Sequence, residues 1–327
     1  MAITRKIQRV SIHATKSTTI GEAFEEFITE KTAANLSPAS IRNYTQSLQY
    51  FMEFHEIDED TPIEQVTRQM FFKWINTQHL EGKKHTTINH YLRDCRTFFY
   101  WCMDEDRKYL ERFKIELAKG QEEQMKLFSD RDIEKLLVRP RNQDSFTEWR
   151  MWAIVNWVLA TGCRAATICD VKICDINFKS REITLRHTKN KKAQILPLSA
   201  SLTTVLKQFL KMWRQDADED TYLFCNVGEE QLTTNALRHN FQRYCKLREV
   251  EHTNIHGLRH NFARGWIRNG GDVFRLQKIL GHSSLEMTKR YVKLFSEDIK
   301  EDFDEFSPLD NLKKNTSRTM KVKKSSS

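Results

Sequence analysis

Apolar side chains recur at helical spacing along most of this chain, and the spacing changes to that of strands in only one place. Residues 181–186 and 193–198, REITLR and AQILPL, alternate like β-strands on either side of a basic turn at 188–192. The 327 residues include 10 glycines and 5 prolines, so long helices with few tight turns are expected. These patterns predict a mainly helical protein that carries a small β-sheet.

The helical patterns fall into two groups, and at about 150 residues per domain the chain is long enough for two domains. In the first group, Ser37 and Pro38 have the residue types of a helix start. The second group opens with a cap at Ser129 and contains a helix that Gly162 is expected to end. The expected segments are an N-terminal extension at 1–18, a helical domain at 19–106, a linker at 107–126, an α+β domain at 127–297, a helix at 298–312 and a basic disordered tail at 313–327.

Several protein classes can be excluded. No run of 18 apolar residues occurs, so no membrane span is predicted. The N-terminus lacks the apolar core of a secretory signal. The seven cysteines are odd in number and form no CxxC pair, so we interpret them as reduced thiols in a cytoplasmic protein. Residues 311–327 supply +6 of the net charge of +9, so net charge alone argues weakly for a nucleic-acid partner.

Six residues near predicted turns and helix ends have the chemistry of phosphoryl transfer. Guanidinium groups can grip the nonbridging oxygens of a phosphodiester, His and Lys can move protons, and Tyr can act as a covalent nucleophile when cations and a base activate it. Each residue alone has a structural explanation, as a helix face, a solvated turn or ordinary packing. The six residues are Arg164, Lys189, His256, Arg259, His282 and Tyr291.

The order and context of these residues make the pattern specific. The segments ATGCR (160–164), TKNKK followed by ILPL (188–198), HGLRH (256–260), LGHSS (280–284) and TKRY (288–291) occur in this order. They resemble the motifs of the tyrosine recombinases, also called the phage-integrase family. The resemblance runs from about residue 129 to 295. The preceding segment 19–106 resembles the helical, SAM-like core-binding domain of these enzymes.

The resemblance implies a role for each residue. Arg164 and Arg259 match the arginines that clamp the scissile phosphate, and His256 and His282 match the two catalytic histidine positions. Lys189 matches the hairpin lysine that protonates the leaving 5′-oxygen. Tyr291 matches the nucleophile that forms a 3′-phosphotyrosine, so neither a metal nor another cofactor is implied.

Two further positions bear on this comparison. His260 also matches the family's LRH pattern and is interpreted as structural support. Thr167 departs from the family, which commonly has an acidic residue three positions after the first arginine. A threonine hydroxyl at this position can still form a hydrogen bond to a neighbouring site residue, but it carries no charge.

The resemblance also implies a C-shaped clamp of the two domains around double-stranded DNA. Polar and basic positions on the first domain are expected to contact the duplex, with a solvated surface as the alternative. These positions are Ser37, Ser40, Arg42, Asn43, Gln46, Lys83, Lys84, Thr86, Thr87, Asn89, Arg93 and Arg96.

The implied function is site-specific recombination, with integration and excision of a mobile element as the expected role. The implied partners are an inverted-repeat core site and a homotetramer with one dimer per site, and accessory DNA-bending or excision proteins are further candidates. Residues 298–312 are expected to pack on a neighbouring subunit, with packing on their own domain as the alternative. The absence of an arm-binding segment before residue 19 suggests the shorter Xer-sized recombinases or transposon-borne integrases. The alternatives are Xer-like dimer resolution, a type IB topoisomerase-like enzyme and a non-catalytic DNA-binding protein.

Overall fold

A computed structural model describes residues 17–120, 125–186, 193–282 and 284–294, and within the last range the side chains of 290 and 292–294 are also left out. Lys189, the predicted helix at 298–312, the predicted tail and residues 1–16 lie outside the described residues. The chain divides into two compact units, 1–123 and 124–327.

The described part of the first unit contains four α-helices, and the first two have strong local start signals. Thr19 forms a capping box with Glu22, and the Ser37 hydroxyl accepts a hydrogen bond from the Ser40 amide next to Pro38. Aromatic side chains fill the core, with Phe27, Phe51, Trp74, Phe98 and Phe99 almost fully buried. The elements are α1 (Ile20–Ala33), α2 (Pro38–His55), a 3₁₀ turn (Ile63–Gln65), α3 (Arg68–Leu80) and α4 (His85–Cys102).

The predicted linker at 107–126 contains the boundary between the units, and its first part packs on the first unit. Leu110, Ile115 and Ala118 are buried in that core. Asn89 is 6% exposed, and its side chain donates to the Ala118 carbonyl at 2.9 Å and accepts from the Ala118 amide at 2.8 Å. The prediction that Asn89 faces outward is therefore wrong, because its amide pairs with backbone that would otherwise be buried unpaired.

The second unit surrounds one apolar helix, α6 (Phe146–Thr161). This helix is buried on most sides, with Trp149 and Trp157 fully enclosed, as its lack of a polar stripe would require. Gly162 ends it in the left-handed conformation, at φ 63°, as predicted. The other helices are α5 (Asp130–Leu137), α7 (Ala165–Asp170), α8 (Ala200–Trp213), α9 (Thr234–Leu247), α10 (Ile255–Arg268), α11 (Val273–Leu280) and α12 (Leu285–Leu294).

The sheet of the second unit has three antiparallel strands in the order β1-β2-β3. The predicted pair is present as β2 (Glu182–Leu185) and β3 (Gln194–Pro197), with Ile183 opposite Leu196. The additional strand, β1 (Ile176–Asn177), has two residues, too few to show a sequence period.

Two observations bear on the excluded classes. Throughout the described ranges, no helix combines the length and the apolar character that a membrane crossing requires. All seven cysteines are free thiols, and only Cys174 among them is exposed.

Candidate active site

The carboxyl end of α11 brings two guanidinium groups together. The Leu280 carbonyl accepts hydrogen bonds from Arg164 Nη1 at 3.2 Å and from Arg259 Nη2 at 2.9 Å. The Gly281 carbonyl accepts from Arg164 Nη2 at 3.4 Å. The last carbonyls of a helix have no partner within the helix and carry its negative dipole end. This end therefore stabilises two positive charges that would otherwise repel each other.

Arg259 is the more deeply placed of the two arginines. It is 3% exposed, and its Nη1 donates to the Gly162 carbonyl at 2.5 Å. Burial, together with the positive charge of Arg164, lowers the pKa of Arg259 to about 10, and burial lowers the pKa of Arg164. Within the part of the chain that the structure describes, neither guanidinium forms an ion pair with a carboxylate. Among the residues described, no carboxylate therefore neutralises either charge.

His282 follows the same helix end and is fixed by two hydrogen bonds. Its Nε2 lies 2.9 Å from Arg259 Nη2, and its Nδ1 lies 2.9 Å from the Thr288 hydroxyl. Because a guanidinium only donates, Nε2 must accept, and Nδ1 carries the proton of the neutral ring. Burial first, and then the charges of Arg259 and Arg164, lower the pKa of His282 to about 4. The ring is therefore neutral at pH 7.

Tyr291 lies on α12 and is 4% exposed. Its hydroxyl is 2.8 Å from Nδ1 of His260, and Tyr291 lies near enough to Arg259 to raise the pKa of that guanidinium. Its ring is almost parallel to that of His282, with centroids 6.3 Å apart and 5° between the planes. The phenol thus contacts the guanidinium cluster of its own subunit.

His256 stands in the first turn of α10, at the exposed edge of the cluster. Its ring lies 4.7 Å from that of His260, at 82°. Partial burial and the charges of Arg259 and Arg164 lower the pKa of His256. It lines a depression of about 130 Å³ together with Arg238 of α9. Of the six predicted catalytic residues, the five that the structure describes therefore converge, and Lys189 lies outside the described residues.

Two residues at this site were not among the predicted catalytic residues. His260 directly contacts the Tyr291 hydroxyl, whereas it was expected to be structural support. Gln194, the first residue of β3, donates its amide to the carbonyls of Lys278 and Ile279 at 2.7 and 3.1 Å. Gln194 thereby joins the sheet to the same helix end that holds the arginines.

Thr167, the departure from the family pattern, is buried in α7. It lines a small depression together with Asp175 and Arg186. The buried Asp175 carboxylate accepts from Arg186 Nε at 2.5 Å. A buried carboxylate thus lines the same depression as Thr167.

The predicted DNA-contacting residues of the first unit have mixed environments. Arg42, Asn43 and Gln46 are exposed on α2, and Lys84, Thr86, Thr87 and Arg93 are exposed at and along α4. Ser37 and Ser40 hydrogen-bond to each other at 3.0 Å at the start of α2.

Lys83 and Arg96 are among the predicted basic contacts that have intramolecular partners. The Lys83 ammonium donates to the Tyr50 hydroxyl and to Gln78 Oε1. The Arg96 guanidinium lies 5.3 Å from the centre of the Tyr100 ring. These contacts must loosen before either side chain can reach out to a ligand.

The tyrosine recombinase class of enzymes is defined by a helical unit followed by an α+β unit. The second unit carries two clustered arginines, histidines and a buried tyrosine. The chain belongs to the phage integrase family: the model for that family matches residues 126–298, more than half of the chain. The model for the phage integrase N-terminal SAM-like domain matches residues 22–106. The resemblance and the fold class predicted from the sequence are thus confirmed.

Named relatives and solved structures agree with this assignment. The tyrosine recombinase XerD of Chlamydia muridarum is 26% identical over 280 residues, which are 84% of this chain and 91% of the relative. XerA of Pyrococcus furiosus is 27% identical over 296 residues, which are 89% of this chain and 96% of the relative. The Tn1549 transposon integrase, solved with a circular intermediate DNA, has the same fold with a TM-score of 0.67 and 20% identity, covering 84% of this chain and 95% of that one. XerH, solved with a palindromic difH substrate, has a TM-score of 0.67 and 20% identity, covering 86% of this chain and 83% of that one.

Proposed function

We propose that this protein is a site-specific DNA recombinase that cleaves and rejoins strands through a 3′-phosphotyrosine at Tyr291. The observation that carries this proposal is the placement of the Arg164 and Arg259 guanidinium groups together at the end of α11, with Tyr291 near enough to raise the pKa of both. The two arginines have no carboxylate partner among the residues described and are suited to a phosphodiester.

The electrostatics of the cluster favour the transition state of phosphoryl transfer. Negative charge accumulates on the nonbridging oxygens as the phosphorus becomes pentacoordinate, so cations fixed there stabilise the transition state more than the ground state. Their burial reduces solvent screening and strengthens this effect. When a phosphate oxygen replaces His282 as a partner of Arg259, the proton of the neutral ring can shift to Nε2 while Nδ1 accepts from the Thr288 hydroxyl. Nε2 can then donate a hydrogen bond to the same phosphate, and neither ring nitrogen keeps a free lone pair.

The proposed step balances without a metal ion or a nucleotide. The Tyr291 oxygen forms a bond to phosphorus while the bond from phosphorus to the 5′-oxygen breaks. Lys189 supplies the proton that the departing 5′-oxygen needs, as the resemblance implies, and the phenol loses its own proton to a base. Attack by the 5′-hydroxyl of a partner strand reverses the step, so one phosphodiester replaces another.

The DNA partner follows from this chemistry and from the solved relatives, which include integrase and recombinase complexes with DNA. We assign 19–106 to binding the duplex and 127–297 to the chemistry. The exposed contacts proposed on the first domain are Arg42, Asn43, Gln46, Lys84, Thr86, Thr87 and Arg93. A homotetramer on DNA, with one dimer per inverted-repeat site, completes the proposal.

The biological role that we propose is integration and excision of a mobile element. Xer-like dimer resolution is the second candidate, because this chain is 26% and 27% identical to recombinases named XerD and XerA. Deletion of the gene distinguishes the two roles. Cells that lack a dimer resolvase should accumulate unresolved chromosome dimers, whereas cells that lack an element's integrase should divide normally and retain the element in place.

A nicked suicide substrate tests the proposed reaction. The duplex is selected from randomised inverted repeats by binding to the protein, and a nick near the cleavage position lets the short 5′-hydroxyl fragment diffuse away. The wild-type protein should accumulate a covalent adduct on a denaturing gel, and Tyr291→Phe should give none. Tyr222→Phe, at a half-buried tyrosine outside the cluster, is the matched control and should behave like the wild type. An equal yield of adduct with Tyr291→Phe would overturn the proposal.

Gln194→Met should slow strand cleavage by about tenfold without unfolding the protein. Methionine keeps the length of the side chain but cannot donate to the carbonyls of Lys278 and Ile279, so the end of α11 loses its tie to the sheet. The two lost hydrogen bonds are worth about 1 kcal/mol each. Part of this loss should appear in the barrier to cleavage, because the helix end that holds the arginines can then shift. Single-turnover rates measure the effect, and Gln231→Met, at an exposed glutamine, should leave the rate unchanged. A wild-type rate for Gln194→Met would show that this tie does not position the cluster.

A further inference from the structure

We propose that His260 is the base that takes the proton from the Tyr291 hydroxyl during strand cleavage, an inference that rests on the proposed function. The Tyr291 hydroxyl lies 2.8 Å from His260 Nδ1, within the reach that proton transfer requires. His260 directly follows Arg259 on α10, so the residue that grips the phosphate and the residue that would receive the proton share one rigid helix.

The hydrogen bonds of His282 exclude it from this role. Its Nε2 lone pair accepts from Arg259, and its Nδ1 proton points to Thr288, so neither nitrogen offers a free lone pair to the phenol. Its ring lies parallel to that of Tyr291, with centroids 6.3 Å apart.

His256 occupies a different place in the cluster. It precedes His260 by four residues, so the two histidines lie on one face of α10, and their rings meet edge to face at 4.7 Å. The His260 ring is in turn 5.7 Å from the ring of Tyr291. His260 therefore contacts both His256 and the tyrosine, which leaves His256 at the exposed edge, beside the depression that it shares with Arg238.

The proton transfer completes the balance of the cleavage step. As the bond from the Tyr291 oxygen to phosphorus forms, the phenol proton moves to His260 Nδ1, and the bond from phosphorus to the 5′-oxygen breaks with a proton from Lys189. Arg259 and Arg164 stabilise the developing phenolate and the phosphorane together. In rejoining, the 5′-hydroxyl gives its proton back to Lys189 as its oxygen bonds to phosphorus. The bond from phosphorus to the Tyr291 oxygen breaks, and His260 returns its proton to that oxygen.

Two substitutions separate proton transfer from simple positioning. In His260→Asn the amide oxygen takes the approximate place of Nδ1 and can accept a hydrogen bond, but it cannot take up a proton at neutral pH. In His260→Ala the acceptor is lost. We expect both variants to bind the selected duplex normally and to cleave the nicked substrate about 10²–10⁴-fold more slowly than the wild type. Added imidazole should restore part of the rate of His260→Ala, because it can enter the space left by the ring.

Each alternative outcome has a distinct meaning. A wild-type rate for His260→Asn would show that His260 only positions the tyrosine, and faster cleavage by His260→Ala would show that it holds the tyrosine back; either result overturns the inference. Failure of the wild-type protein to form any adduct would instead overturn the proposed function. Thermal unfolding of each variant checks the fold, and His79→Ala, at an exposed histidine of α3, is the matched control.

Discussion

Replacing Arg259 with alanine should lower the single-turnover rate of strand cleavage by about 10²–10³-fold or more, the usual effect of removing one donor to a developing oxyanion. Arg259 is the residue through which the cluster is connected: its guanidinium reaches the Gly162 carbonyl, the Leu280 carbonyl and His282. Its removal takes away a charge from the phosphate and also releases the ring of His282.

Arg259→Lys separates the loss of charge from the loss of geometry. A lysine keeps the positive charge, but its single ammonium cannot satisfy partners on three sides as a planar guanidinium does. We therefore expect a rate between those of the wild type and the alanine variant. The matched control is Arg268→Ala, at the exposed last residue of α10, which should cleave at the wild-type rate. A wild-type rate for Arg259→Lys would show that the charge alone suffices and that the fork of hydrogen bonds is not needed.

Gly162→Ala should be strongly destabilising and should also abolish most of the activity. Gly162 has φ +63°, and a Cβ built on it would lie 2.5 Å from Phe262 Cδ1 and 2.7 Å from Leu280 Cδ2. The left-handed backbone costs an alanine about 1–2 kcal/mol, and overpacking adds about 1–3 kcal/mol. We expect the free energy of unfolding of the second unit to fall by about 2–5 kcal/mol. Because the same residue's carbonyl holds Arg259, any shift also displaces the arginine.

Denaturant-induced unfolding, followed by tryptophan fluorescence, measures this loss. Gly265→Ala is a matched control, since Gly265 lies inside α10 and a Cβ there would meet nothing within 4 Å. It should unfold at the same free energy or up to about 1 kcal/mol higher, because alanine is the better helix former. Equal stability of Gly162→Ala and the wild type would show that the turn before Arg164 can adapt to a side chain, contrary to this prediction.

The parts of the fold that the sequence predicts well are those encoded by local chemistry. Ser37 and Pro38 begin α2 as expected, and Gly162 ends α6 as expected. In both places the residue type itself satisfies or permits the backbone geometry of a helix end. The β2–β3 pair is also predicted. Apolar residues alternate there as in a strand, whereas they recur at helical spacing along most of the chain.

The parts that could not be predicted depend on contacts between distant segments. Asn89 lies at a polar position of α4, yet it is buried because it pairs with the backbone of Ala118, 29 residues further on. Leu110 and Ile115 enter the core from a segment without helical periodicity. Nothing in the local sequence distinguishes such a buried segment from a linker with the same composition.

The active-site cluster shows the same division. The order of the five motifs predicts that Arg164, Arg259, His282 and Tyr291 converge, and they do. The carbonyls of Leu280 and Gly281, which hold the two arginines, have no sequence signature because every residue has such a group. His260 had a signal, its spacing of four residues from His256 in HGLRH, but that spacing does not reveal a contact with a tyrosine on another helix.

Mapping the covalent bond in the DNA adduct tests the proposed chemistry most directly. Trypsin digestion of the trapped adduct, followed by nuclease trimming and mass spectrometry, identifies the peptide and the end of the DNA to which it is joined. We predict attachment at Tyr291, to the 3′-phosphate of the cleaved strand, with a free 5′-hydroxyl on the released fragment. Attachment at another residue, or to a 5′-phosphate, would contradict a mechanism in which Tyr291 is the nucleophile and the 5′-oxygen departs.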